Sequence, residues 1–211
     1  TNLKELNLNG TKVTAAAVKQ LKQALPNCKI YRSPAGELKR AKASPQKPGE
    51  TKPTTPEVID AIKKLGGKVT VDKNNDVVNV NLAFNTQVTD ADLVRLKGLT
   101  NLEALNLNAA KVTDAGLKHL KGLANLEALF LGRNVEITDA GLIYLKGLTN
   151  LKYLDLNFTK VTGAGLVHLK GLKNLESLAL IGTGVTDAGL VHLKGLTKLE
   201  QLILGVTDVT D

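Results

Sequence analysis

The chain has 211 residues and a formal net charge of +8, with three Phe, three Tyr, no Trp and no Met. Aliphatic side chains must therefore supply any core, and no stretch is long and apolar enough to cross a membrane as a helix. All of the excess charge lies in residues 1–56, so residues 57–211 are neutral and lack the basic face with stacking aromatics that binds nucleic acid.

Residues 1–30 have the pattern of one strand followed by one helix. Leu6 and Leu8 alternate with polar residues, which predicts a strand with one buried face. Residues 15–25 follow as a long, rather polar helix that Pro26 ends. We interpret this segment as the terminal repeat and C-terminal cap of a preceding array.

The next two segments differ sharply in composition. Residues 31–55 are rich in Pro, Lys, Ser and Gly with almost no apolar residues, which predicts a disordered linker. Residues 56–81 are predicted to form an N-terminal cap, with a short amphipathic helix over 57–65 and strands over 68–71 and 77–82.

From residue 82 to residue 211 the chain repeats itself every 24 or 25 residues. In each repeat a leucine is followed by leucines at the third and fifth positions after it, which indicates a strand with one buried face. A turn and the phrase Thr-Asp-Ala-Gly-Leu follow, where Thr and Asp are predicted to cap a helix. A later glycine is predicted to end each helix in a left-handed conformation. The leading leucines are Leu102, Leu126, Leu151, Leu175 and Leu199, and the terminating glycines are Gly122, Gly147, Gly171 and Gly195.

This pattern resembles the leucine-rich-repeat family, whose core motif is LxxLxLxxNxL, over residues 77–211 and 3–30. The VTDAGLxxL phrase resembles the helix-bearing repeats of F-box receptors and of long bacterial repeat proteins. The resemblance implies an α/β solenoid that is curved, with parallel strands on the concave face and short helices on the convex face. Both ends of the chain fall inside repeats, so we expect a piece of a longer protein.

The sequence departs from the family motif at the turn asparagine. Several repeats have Thr there, such as Thr159 and Thr183, and a hydroxyl can still bond the backbone of a neighbouring turn. Ala110 cannot, so we expect a looser hydrogen-bonded ladder at that turn. An extra residue near Asn134 and Val135 predicts a small bulge.

Residues between the strand leucines point outward and form columns along the array. Exposed aromatic and aliphatic residues on one face are typical of protein interfaces, although single apolar surface residues are also common. We predict a protein-binding patch on the concave face, with Asp155 as a specifying charge. Its members are Phe130, Tyr153, Asp155, Asn157, Ile181 and Ile203.

Neither the acidic nor the histidine column predicts a metal site. Lys152 interrupts the column of Glu103, Glu127, Glu176 and Glu200, which we interpret as a solvated ridge. His119, His168 and His192 share one helix position without the further ligands that zinc needs. Cys28 is the only cysteine, so no disulfide forms within the chain.

The sequence favours binding over catalysis. No nucleophile elbow, phosphate-binding loop, zinc-protease or dinucleotide motif occurs, so we predict that the chain is not an enzyme and needs no cofactor. The first interpretation is a scaffold for a protein partner of unknown identity. The alternatives are a substrate-recognition arm of a larger enzyme, such as a ubiquitin ligase receptor, and a structural or adhesion array. Open repeat ends would also allow self-association, with residues 1–30 docking beyond Leu204 in the same chain or another.

Overall fold

One sheet runs through the described part of the chain. The computed structural model describes residues 4–7, 29–31 and 56–207. The strands of this part of the chain are β1 (Glu5–Asn7), β2 (Lys29–Tyr31), β3 (Lys68–Val71), β4 (Val77–Asn81), β5 (Ala104–Asn106), β6 (Ala128–Phe130), β7 (Tyr153–Asp155), β8 (Ser177–Ala179) and β9 (Gln201–Ile203). They pair in the order β2-β1-β9-β8-β7-β6-β5-β4-β3. Only the β3–β4 pair is antiparallel in this sheet of described residues.

A helix and a hairpin lie at one end of the parallel array. Helix α1 (Pro56–Lys64) buries Ile62 and packs beside β3, and β3 pairs with β4 in an antiparallel hairpin. Gly66, which adopts a left-handed conformation (φ +74°), ends the helix, and its N–H donates to the carbonyl of Lys63 (2.8 Å). The predicted helix and the two predicted strands of this segment are all present.

The strand leucines stack into one continuous core. Leu105, Leu129 and Leu154 are register partners on successive strands, and each is fully buried. The other leucines of the motif join the same cluster, which extends from Ile62 at one end to Leu204 and Leu6 at the other. The predicted architecture is confirmed: the chain is a curved solenoid with parallel strands on the concave face and short helices on the convex face.

In three of the described repeats the helical segment is a single turn of α-helix that tightens into a 3₁₀ turn, and in the other two it is 3₁₀ throughout. The α-helical turns are α2 (Asp114–Leu117), α3 (Asp139–Leu142) and α4 (Asp187–Leu190), and the 3₁₀ segments are Asp92–Gly98, Lys118–Leu120, Ile143–Leu145, Gly165–Leu169 and Val191–Leu193. The prediction of left-handed glycines at the helix ends is wrong. Because the 3₁₀ turn ends right-handed, for example at Lys121 (φ −52°), the following Gly122 needs no positive φ.

The Thr-Asp-Ala-Gly phrase joins neighbouring repeats. Asp114 accepts hydrogen bonds from Thr138 of the next repeat, at Oδ1 from the backbone N–H (2.8 Å) and at Oδ2 from the hydroxyl (2.6 Å). A Cβ on Gly141 would collide with this carboxylate, so glycine leaves the space for it. Thr138 also caps its own helix, since its Oγ1 accepts from Ala140 N. The capping role is therefore confirmed for Thr113 and Thr138, whereas Thr186 makes no side-chain cap hydrogen bond, and Asp114 bonds the next repeat instead of its own helix.

The same contact recurs in two other repeats and is missing in one. Asp90 bonds Thr113, and Asp139 bonds Thr162, with the same two hydrogen bonds. In the next repeat, glycine stands at position 163 where the other repeats have this aspartate. There the backbones of Gly163 and Gly189 touch directly, since a Cβ added to Gly163 would lie only 2.8 Å from the Cα of Gly189. Neighbouring repeats can therefore be joined by a carboxylate or by close glycine contact.

The hydrogen bonds at the turns after the strands differ from those expected from the sequence. Ala110 has no looser turn, because the buried amide of Asn134 in the next repeat accepts from Ala110 N (3.2 Å) and Val112 N (3.0 Å). The hydroxyl of Thr159 donates to the carbonyl of Leu156 in its own turn (2.7 Å), rather than to a neighbouring one. The extra residue of this region, Val135, is 57% exposed.

The N-terminal strand extends the far end of the array. Strand β1 pairs in parallel with β9, and Leu6 is fully buried beside Leu202. The predicted helix at 15–25 and Cys28 lie outside the described residues, as does the predicted linker apart from Tyr31 at the end of β2. The proposed division of the chain at residues 30, 55 and 81 stays a prediction.

The contact between Asp114 and Gly141 can be tested with two glycine substitutions. We expect Gly141→Ala to lower the free energy of unfolding by about 1–3 kcal/mol, because the new methyl group displaces a hydrogen-bonded carboxylate. Gly122→Ala is the matched control, since nothing lies within 4 Å of a Cβ there. Urea denaturation measures both, and an equal loss in the two variants would contradict the proposed contact.

Candidate protein-interaction surface

The concave face carries two columns of side chains in strict register. The strand pairing aligns Asn79, Ala104, Ala128, Tyr153, Ser177 and Gln201 in one column, and Asn81, Asn106, Phe130, Asp155, Ala179 and Ile203 in the other. Residue positions on neighbouring strands are about 5 Å apart, so the columns form one continuous surface. Any partner lying on this face would contact several repeats at once.

Phe130 and Tyr153 lie on adjacent strands and are both partly exposed. Phe130 pairs in register with Asp155, and Tyr153 pairs with Ala128. The two aromatic residues are therefore diagonal neighbours on the adjacent strands β6 and β7. The Tyr153 hydroxyl donates to Oε2 of Glu176 (3.3 Å). Burial, reinforced by Glu176, raises the pKa of Tyr153 above its ordinary value, so the phenol stays neutral and can donate.

Asp155 does not project from the surface as a specifying charge. Only 7% of it is exposed, and its carboxylate accepts from the backbone N–H of Asn157 (2.9 Å) and the side-chain amide of Asn108 (3.3 Å). A Cβ on Gly132 would lie 3.1 Å from both carboxylate oxygens. Burial raises the pKa of Asp155, and these two hydrogen bonds oppose the shift. The side chain therefore organises the face from beneath.

The other three predicted contact residues divide between surface and interior. Asn157 and Ile181 are partly exposed, and Asn157 Oδ1 accepts from Ile181 N (2.6 Å), which links their repeats. Ile203 is only 2% exposed, so the expectation that it is an outward contact is wrong. It lies between Ala179 on β8 and Asn7 on β1, because β1 continues the sheet beyond β9.

Sequence reasoning missed an exposed aromatic at the edge of the concave face. Phe158 is 41% exposed and has a left-handed backbone (φ 55°), which is unusual for a bulky residue. The guanidinium carbon of Arg133 lies 5.1 Å from its ring centroid, within the range of a cation–π contact. On its other side a Cβ on Gly182 would lie 2.5 Å from Cδ1 of the ring. The ring is therefore held in one place while part of it faces solvent.

The position of Phe158 within its repeat is the sequence signal that could have identified it as a candidate contact residue. The residue two positions after the third leucine of each repeat has a positive φ throughout the described array. These residues are Phe84, Ala109, Arg133, Phe158, Gly182 and Val206. Aromatic residues are unusual at left-handed turns, and strained positions of this kind cluster at binding sites. Phe84, at 73% exposure, is the second aromatic of this column.

Among the described residues, the acidic and histidine columns form no metal-binding group. Lys152 pairs with Glu127 (2.8 Å), and Glu200 pairs with Lys4 (2.7 Å). Burial and nearby lysines lower the pKa of His119 and of His168. Within the described residues, no group of three or more His, Cys, Asp or Glu side chains could hold a metal ion. The described helices also include none with the length and apolar character needed to cross a membrane.

Comparisons with known proteins identify the repeat. Residues 98–121 and 147–169 match the family model described as Leucine Rich repeat. The chain is similar to the solved structure of an internalin (inlF) from Listeria monocytogenes str. 4b F2365, with 29% identity and a TM-score of 0.50, over 56% of this chain and 33% of that chain. It thus covers about a third of the length of that internalin.

Two further solved structures are similar at lower identity. Internalin C2 (inlC2) from the same Listeria strain matches with 20% identity and a TM-score of 0.49, over 74% of this chain and 86% of that one. The PEPR1-AtPEP1 structure matches with 18% identity and a TM-score of 0.47, over 66% and 19%. The comparison with curated proteins gave no match.

The observed architecture and the matched repeats point to the same family. Both matched segments lie in the array in which parallel strands and short helices alternate around one aliphatic core. Repeats of this family are typical of non-enzymatic domains that act in protein interactions. The chain therefore carries repeats that match the leucine-rich-repeat family model at residues 98–121 and 147–169.

Proposed function

We propose that this chain is a protein-binding scaffold that holds its partner on the concave strand face. The observation that carries the proposal is the pair of partly exposed rings, Phe130 and Tyr153, on two adjacent strands of that face. Aromatic side chains are enriched among the residues that dominate binding energy at protein interfaces. Asn157 and Ile181 continue the same surface toward the strand ends.

The surface is ordered before a partner arrives. Tyr153 is held by Glu176, and Phe158 at the adjacent edge is held between Arg133 and Gly182. The strands beneath are fixed by pairing on both sides. Since little side-chain freedom remains to be lost, binding at these positions carries a small entropic cost.

We infer a partner surface that combines an apolar segment with hydrogen-bond donors. The apolar segment would cover the rings of Phe130 and Tyr153, and donors would meet the carboxylate of Glu176, which is partly exposed beside Tyr153. The alternatives of a substrate-recognition arm and of a structural array use the same fold. No observation on the described residues favours either of them over the scaffold.

Removing both rings should weaken partner binding without unfolding the protein. We expect Phe130→Ala with Tyr153→Ala to raise the Kd at least about tenfold, because interface aromatics often contribute more than 1 kcal/mol each. Partners captured by the wild-type chain are identified by mass spectrometry, and the Kd of each is then measured by calorimetry.

The control removes exposed aliphatic side chains from the opposite face. Ile143 and Val191 lie in the convex 3₁₀ turns and are each 47% exposed. Ile143→Ala with Val191→Ala should leave the Kd unchanged, and circular dichroism should show both double variants folded. A partner that binds the ring-free variant with wild-type affinity would rule out this face as its site.

The buried carboxyl of Asp155 predicts a pH dependence of stability. Because its pKa is raised in the folded chain, the folded state favours the protonated form. Its contribution is therefore most favourable below the ordinary aspartate pKa of about 4 and becomes less favourable as pH rises through the raised value. Compared with Asp155→Asn, the wild-type chain should gain unfolding free energy between pH 7 and pH 4.

Urea titrations of both proteins at each pH measure this difference. The comparison between the two proteins cancels the contributions of every other titrating group. No shift would show that the hydrogen bonds to Asn157 and Asn108 cancel the effect of burial on the pKa, and a shift in favour of Asp155→Asn at low pH would show that they outweigh it.

A further inference from the structure

The outer edge of β9 accepts the N-terminal strand as if it were another repeat. Lys4 N and Glu5 N both donate to the carbonyl of Glu200 (2.8 and 2.9 Å). Within the array, Glu200 N and Gln201 N donate to the carbonyl of Glu176 at the same two distances. The β1–β9 pair therefore reproduces the hydrogen-bond pattern between successive repeats.

Side chains complete the match. Leu6 pairs in register with Leu202 and is fully buried at the end of the common core. The ammonium of Lys4 pairs with the carboxylate of Glu200 (2.7 Å), although both groups are well exposed and contribute little. The edge thus selects a short parallel strand with a central leucine, and this is the pattern that every repeat carries.

The chain reaches this edge through a long connection. In sequence β1 and β2 precede α1, yet in space they lie at the opposite end of the sheet. The eight strand spacings from β2 to β3 amount to roughly 40 Å. Residues 32–55 can span up to about 80 Å when extended. A connection of this length reaches the β9 edge of a neighbouring molecule as readily as that of its own.

We propose that the β9 edge is a self-association site, at which residues 4–7 of a second copy of this chain replace the chain's own residues 4–7. The exchanged strand keeps the register Glu5 to Gln201, Leu6 to Leu202 and Asn7 to Ile203. Reciprocal exchange closes into a twofold dimer, whereas one-way exchange adds molecules head to tail. This site lies at the array end and does not depend on the proposed concave binding surface.

Concentration sets the balance between the two forms. Exchange replaces each contact by an identical one. Strands of other molecules therefore compete only with the effective concentration of the chain's own tethered strand, which is roughly millimolar for such connections. Dilute protein is therefore monomeric with its own strand docked. Protein refolded near millimolar concentration contains exchanged molecules.

Disulfide trapping between two differently substituted full chains tests this directly. One chain carries Glu5→Cys and the other Gln201→Cys, and both carry Cys28→Ser so that each has one thiol. Register partners on adjacent parallel strands fall within the Cα separation that a disulfide needs. The two chains are mixed unfolded, refolded together at about 10 μM or about 1 mM, oxidised, and analysed by mass spectrometry.

We expect the mixed disulfide dimer to rise at least tenfold in yield between the two concentrations. The matched control mixes Glu5→Cys with Ala104→Cys, which lies in the same column but five strand spacings from β1, and it should give only background dimer. A yield equal to this background at 1 mM would overturn the exchange.

A companion variant tests the docking on which the exchange depends. One chain carrying Glu5→Cys, Gln201→Cys and Cys28→Ser should form its disulfide within the chain at 10 μM. Failure of this link, with the protein folded by circular dichroism, would overturn the β1–β9 pairing and the exchange together.

Discussion

Each repeat exposes an apolar face that only its neighbours can cover, and the rest of the structure depends on this constraint. Leu129 is buried because Leu105 and Leu154 stand beside it on the adjacent strands. No repeat is therefore stable alone, and each end of the array needs a cover. At one end α1 and β3 provide it, and at the other end β1 does, with β2 paired beyond it.

The stacking of repeats leaves the concave positions free for function. The contacts that set repeat spacing lie elsewhere: in the leucine core, in the Asp–Thr bonds on the helical side, and in the turn amide of Asn134. Outward strand positions that make no such contact can then vary without loss of the fold, as Phe130 and Tyr153 do among smaller and polar neighbours, whereas Asp155 is held by Asn108 and Asn157. A rigid frame with variable surface columns suits recognition of proteins.

The candidate surface could be predicted only in part. Strand alternation correctly assigned which residues face outward, and Phe130 and Tyr153 are partly exposed as expected. It could not distinguish an exposed outward residue from a covered one, so Asp155 and Ile203 were misjudged. It also missed Phe158, since the exposure of that ring depends on Arg133 one repeat earlier and Gly182 one repeat later. Such contacts join residues about 24 positions apart, where no local pattern reaches.

The sequence by itself determined the solenoid, because the repeat period, the alternation of leucines and the turn residues act within about 25 residues of one another. Only the tertiary structure decided how the repeats are joined and where the N-terminal strand lies. The carboxylate of Asp114 bonds the next repeat instead of its own helix. Strand β1 pairs with β9, nearly the whole chain away. A sheet edge accepts any strand of matching pattern, so its choice of partner depends on which edges remain open and within reach of the connecting chain.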